Sequence, residues 1–204
     1  MKSEYNIQHK TDYAGSKMGM WMFLFTELLL FAGMFLLYSA FRSKYSQEFH
    51  RSSVELSRVI GTVNTVILLT SSMTMALSID AIKRGKKHLS VLYQRMTIFL
   101  GLFFLVNKYF EWSAKIHHGI YPNSPELLQR GKVETLFYGL YYLMTGIHGL
   151  HVIAGIILIA IMMVMTKKDR IGSETYVRLE NTGLFWHLVD VIWVYLFPVF
   201  YLIS

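Results

Sequence analysis

The chain has 204 residues, of which 53% are hydrophobic, with a positive mean hydropathy and a formal charge of +7. A soluble domain of this size distributes apolar residues by period; here they gather in blocks of about 20, which excludes that class and indicates a polytopic α-helical membrane protein. The basic residues fall between the blocks, as in cytoplasmic loops and lipid headgroup contacts, so no nucleic-acid partner is expected, and the lack of cysteine excludes disulfides and thiolate metal sites.

Residues 1–17 read as a short polar arm without the features of a cleavable signal peptide. The first span, about 18–41, is the most informative stretch: MGMWMFLFTELLLFAGMFLLYSAF is interrupted by a single acid, Glu27. A helix rises about 1.5 Å per residue, so this segment can cross a hydrocarbon core of about 30 Å and places Glu27 roughly 14 Å deep. An ionised carboxylate at that depth costs several kcal/mol on the order of insertion scales, so Glu27 should be protonated, paired, or turned to a polar cavity. Three roles fit it: a structural carboxyl bonded to a neighbouring helix, support for proton movement in a partner, or an ion site of a carrier.

A polar connection, 43–58, leads to a second span, about 59–79, rich in small polar residues that include Asn64, Thr65, Ser71 and Ser72. Such a helix packs against other helices through close contacts and hydrogen bonds. After the basic loop at Lys83–Lys87, a third span (about 92–112) ends in Asn107, Lys108 and Glu111, the last two sharing one helix face. Residues 113–134 read as a loop with Pro122 and Pro125. The fourth span, about 135–165, holds Gly146, His148, Gly149, His151 and Gly155; the fifth, about 183–203, carries Trp186, His187, Asp190, Trp193 and Pro198, the proline expected to bend it. With the amino terminus cytoplasmic and the carboxyl terminus periplasmic, about twelve of the 20 Lys and Arg residues lie inside, which the positive-inside rule favours. No internal repeat or second domain is evident, so residues 18–204 form one five-helix domain.

His148 and His151 are three apart on one helix face, as metal ligands can be, but a zincin-like site needs a pair four apart with a glutamate between. Glycines and satisfied histidines at a helix interface are the better reading. His187 and Asp190, also three apart, suit an internal ion pair or hydrogen bond. Trp186 and Trp193 repeat at seven and mark a packing face. No nucleophile–base pairing or complete metal set appears, so the chain does not read as an enzyme on its own.

Taken together, these stretches resemble subunit III of the haem–copper oxidases, the cytochrome c oxidase subunit III family. GMWMFLFTELLLFAGMFLLY is similar to that family's glutamate helix, NTVILLTSS to its next helix, and YFEW to the end of the one after. GIHGLHVIAG and WHLVDVIWVYLF are the strongest matches, and all five lie in order over roughly residues 18–203. The long members have seven spans; this chain resembles the shorter five-span bacterial form, which lacks the first two helices and with them one wall of the family's lipid-holding cleft.

The resemblance implies a non-catalytic core subunit of a respiratory oxidase in the bacterial cytoplasmic membrane. Such a subunit supports the proton uptake and durability of a complex that reduces oxygen with electrons from cytochrome c, or from quinol. Haem and copper would reside in a partner catalytic subunit I, with subunit II and a small subunit IV as further partners, and structural phospholipid as the one small molecule expected here. Glu27, Glu111, His148, His151, His187 and Asp190 would then be buried polar contacts supporting proton uptake, with Asn64, Gly146, Gly149, Gly155, Trp186 and Trp193 packing the helices. Three alternatives remain open: an accessory protein of nitric oxide reductase, a proton-coupled transporter using Glu27, and a haem-binding cytochrome using His148 or His151 with His187. Against the transporter stands the lack of an inverted repeat.

Overall fold

The computed structural model describes residues 2–202, with side chains from residue 15 onward, and every regular element in it is helical. The chain runs α1 (Lys2–Lys44), α2 (Ser46–Val54), α3 (Arg58–Lys83), α4 (Lys87–His117), α5 (Pro125–Arg130), α6 (Lys132–Lys167) and α7 (Val177–Phe197), then a π-helical turn (Pro198–Leu202). Five of these are long and apolar enough to cross a membrane. Within hydrocarbon no water is available to backbone amides, so an apolar block of this length closes its hydrogen bonds inside a helix. The helices overrun the apolar blocks: α1 continues back through the polar residues to Lys2, and α4, at 31 residues, extends beyond a hydrocarbon core.

Three helix ends use one device. Gly85 after α3 and Gly119 after α4 take positive φ angles of 73° and 71°, and Asp169 after α6 takes 57°. In each the next amide reaches back five residues, from Lys86 to Ala81, Ile120 to Lys115 and Arg170 to Met165, which satisfies carbonyls the helix leaves open. The connections expected to be plain loops hold the two short helices. Ser124 caps α5, its Oγ accepting from the Leu127 amide at 3.1 Å, with Pro125 in the first turn where its missing N–H is harmless.

Four helices form a closed ring in the order α3, α4, α6, α7, and α1 lies outside it against α7 and α6. The small polar residues of α3 meet α4 through Thr74–Thr97 (2.8 Å) and Ser78–Ser90 (3.1 Å). Both tryptophans of α7 are buried at the centre of the ring. Trp186 donates to Ser71 Oγ at 3.1 Å, and its ring fills the space left by Gly101 and Gly155, where an added Cβ would stand 2.8 and 2.6 Å from it. Trp193 donates to Thr65 Oγ1 at 3.1 Å and packs edge to face on Phe104. Gly146 lies against Trp112, whereas Gly149 has open space around it, so only part of the expected glycine face is a contact.

At one end of the ring Phe49 of α2 inserts between Tyr38 and Phe137, and Phe200 packs on Tyr38, Phe137 and Tyr141. Tyr38 donates to the Val199 carbonyl at 2.9 Å, tying α1 to the end of the chain. Pro198 marks where α7 gives way to the π turn, which leaves Phe200 and Tyr201 both buried.

Because the Trp186 indole cannot yield, Gly155→Leu should lower stability by about 1–3 kcal/mol, whereas Gly149→Ala should change it by less than about 1 kcal/mol. Denaturant titration of the purified chain in one detergent measures both; equal effects would remove the packing assignment.

Candidate functional site

The polar side chains of the long helices gather into separate groups. The first joins α1 to α6: His151 Nε2 lies 2.8 Å from Glu27 Oε2, with both side chains less than a fifth exposed. The other ring nitrogen, Nδ1, lies 2.8 Å from the Ile147 carbonyl. A carbonyl only accepts, so Nδ1 carries a proton. A single further proton then sits between Nε2 and Oε2, on the acid or on the imidazole. In either form the pair is neutral overall, which answers the cost of an isolated carboxylate at this depth. Phe31 and Phe185 flank the imidazole.

The second group lies between α4, α6 and the π turn. Lys108 Nζ donates to Glu111 Oε2 at 3.0 Å, to Tyr141 Oη at 3.1 Å and to Tyr201 Oη at 3.2 Å. Tyr141 and Tyr201 in turn donate to Glu111 Oε1 at 2.9 and 2.5 Å. Every member is buried, and the ammonium also lies 5.3 Å from the Trp193 ring centre. Sequence spacing identifies the Lys108–Glu111 pair. Nothing in the spacing points to the two tyrosines, 30 and 90 residues from Glu111, which only helix packing brings there.

The remaining expected residues take different settings. His148 is fully buried between Phe104 and Trp193, with neither ring nitrogen hydrogen-bonded. It points into the ring, whereas His151 points to α1; sharing a helix face does not bring the two imidazoles onto one ligand. The expected pairing of His187 with Asp190 does not form. His187 Nδ1 instead meets Ser72 Oγ on α3 at 2.6 Å, because α3 packs against that side of α7. Asp190 is buried beside Ser72, with no hydrogen bond of standard geometry to either oxygen. Asn64 accepts from Asn107 Nδ2 at 2.9 Å, linking α3 to α4. Among the described residues no three His, Asp or Glu side chains converge as metal ligands would. The geometry of these groups offers paired polar side chains and one proton shared across a hydrogen bond.

A family model described as cytochrome c oxidase subunit III matches residues 1–204. Among similar proteins, the cytochrome c oxidase subunit 3 of Alkalihalophilus pseudofirmus is 30% identical, over 92% of this chain and 86% of its own. The cytochrome bo(3) ubiquinol oxidase subunit 3 of Pseudomonas putida is also 30% identical, over 92% and 85%. The haem–copper oxidase subunit I+III of Aeropyrum pernix is 27% identical over 90% of this chain and 22% of its own.

Removing Glu111 leaves the Lys108 ammonium buried without its carboxylate. Glu111→Gln should therefore destabilise the chain by about 3–5 kcal/mol, and the double variant Lys108→Met with Glu111→Leu should recover most of that loss. Tyr141→Phe, which removes one hydrogen bond, should cost about 1 kcal/mol. Unfolding of the purified variants in detergent tests the set; a double variant no better than Glu111→Gln would contradict it.

Proposed function

The chain belongs to the cytochrome c oxidase subunit III family of the haem–copper oxidases, and from that premise we propose that it supports proton uptake and durability in a respiratory terminal oxidase. As subunit III it is a multi-pass membrane protein that partners with the catalytic subunits of such a complex. We place it in the bacterial cytoplasmic membrane, packed directly on subunit I, with subunit II and a small subunit IV as further neighbours. The relative named subunit I+III supports the direct contact with subunit I. The complex reduces oxygen to water, and cytochrome c is the donor we favour; relatives named for cytochrome c oxidase and for ubiquinol oxidase match equally well, so quinol is the second reading. Haem and copper belong to the catalytic partner, in keeping with three intramembrane histidines that are each engaged elsewhere or enclosed by aromatic rings.

The observation that carries the proton-related role is the Glu27–His151 pair. It holds one proton between two bases and joins the peripheral helix α1 to the ring, with Glu27 still partly exposed. A proton shared at 2.8 Å can pass between the two groups with little rearrangement, while the pair stays neutral in hydrocarbon. The buried Lys108–Glu111–Tyr141–Tyr201 group is bonded within itself, and its role is structural.

Affinity purification of the tagged chain in mild detergent should bring down a large multi-span polypeptide with haem bands and oxygen-reducing activity, donor by donor. Gentle dissociation should leave this chain colourless; stoichiometric haem on the lone chain would overturn the reading. In the assembled complex, Glu27→Gln combined with His151→Phe should keep the subunit bound yet slow proton uptake during turnover several-fold and shorten the active lifetime. A complex carrying both changes and matching the native one in rate and lifetime would remove the proton role.

A further inference from the structure

The two halves of α1 are fastened to the ring by different means. Among the described residues of its first half, 15–30, only Leu24 is buried, while Lys17, Met20 and Glu27 are half-buried. From residue 31 onward, Phe31 and Tyr38 are almost fully buried, and Met34, Phe35 and Phe41 pack against the core. Tyr38 lies between Phe49 and Phe200 and donates to the Val199 carbonyl. Buried aromatic surface of this kind makes the second half a fixed part of the bundle.

The first half is held mainly by single polar contacts. Asn181 Nδ2 donates to Ser16 Oγ at 3.0 Å, Lys17 pairs with Glu180 at 2.6 Å, and Glu27 meets His151 at 2.8 Å. Phe23 adds a tilted ring contact with Phe185, their centroids 5.9 Å apart. When the shared proton stays on Glu27, acid and imidazole part as two neutral groups, so separation leaves no charge in hydrocarbon there. Segments with few buried apolar contacts have the lowest local stability.

Gly33 stands at the junction of the two halves. It is exposed, and an added Cβ would meet nothing within 4 Å, so no close packing requires its missing side chain. A glycine within a helix weakens it relative to alanine. Gly33 faces away from the ring, and that outer face shortens when the first half swings outward; no side chain crowds it there. Phe31 lies two residues from Gly33, close to the pivot, and keeps its place. The backbone of each half bonds within itself, so hydrocarbon tolerates the movement. We propose that α1 is a hinged strap: about Gly33 its first half swings away from α6 and α7 and uncovers His151, while its second half stays packed. This motion belongs to the chain itself and does not depend on the oxidase reading or on a proton role for the pair.

The chain has no cysteine, so introduced cysteines carry spin labels at chosen positions only. The full chain in lipid nanodiscs is labelled at Phe25→Cys with Ile161→Cys, across the first half, or at Leu37→Cys with Leu143→Cys, across the second; all four positions are exposed. Pulsed EPR should give two distances for the first pair and one for the second. Gly33→Ala should lower the population at the longer distance by about threefold or more, whereas Gly19→Ala, whose added methyl also meets open space, should leave it unchanged. Glu27→Ala, which removes the contact with His151, should raise it by about threefold or more. A single distance for the first pair, with and without Glu27→Ala, would overturn the proposal. Two distances for both pairs would mean that α1 departs as a whole, and would overturn the hinge, as would a longer-distance population that Gly33→Ala leaves unchanged.

Discussion

A charge held within a hydrocarbon layer needs its counter-charge in reach, and this bundle is arranged around that requirement. Lys108 and Glu111 come from one helix, but two side chains cannot satisfy three ammonium protons and two carboxylate oxygens. The hydroxyls of Tyr141 and Tyr201 complete the set. Meeting them requires α6 to pack on α4 and the end of the chain to turn inward. The π turn after Pro198, where Tyr201 is buried, and the aromatic cluster around Phe200 accompany that arrangement.

The same requirement gives α1 its character. α1 lies outside the four-helix ring, and within its apolar part only a small share of residues is buried, 17% against 50% for the last span. Its hold on the rest depends on a few specific contacts: Glu27 with His151, Tyr38 with the Val199 carbonyl, and Phe23 on Phe185. Large apolar side chains such as Phe25, Leu28 and Leu36 remain exposed on it. A helix held this way has surface to offer a neighbouring subunit, in keeping with a chain that works within a larger oxidase.

His148 and Asp190 show the opposite case, polar groups buried without a hydrogen bond of standard geometry. His148 lies against Phe104 and Trp193, and Asp190 lies between the two tryptophans along α7. The indoles fill the gaps beside Gly101 and Gly155 and tie α7 to α3 through Ser71 and Thr65. Aromatic faces enclose the His148 imidazole. The centre of the bundle is thus built for rigidity, and the proton-bearing pair lies at its margin.

The sequence by itself determined the class of the molecule and its family. Apolar blocks of spanning length permit only helices in hydrocarbon, and five motifs in order are specific enough to identify relatives. It also marked the polar residues that stand out, since Glu27, Glu111 and Asp190 are conspicuous in apolar runs. What it could not determine was which of them meet. His151 meets Glu27 across 124 residues, and Ser72 meets His187 across 115. Residues three apart, such as His148 with His151 or His187 with Asp190, diverge to different neighbours. Spacing along a helix defines a direction relative to that helix's own axis; the partner in that direction is set by the rotation and crossing of the next helix, which tertiary packing alone decides.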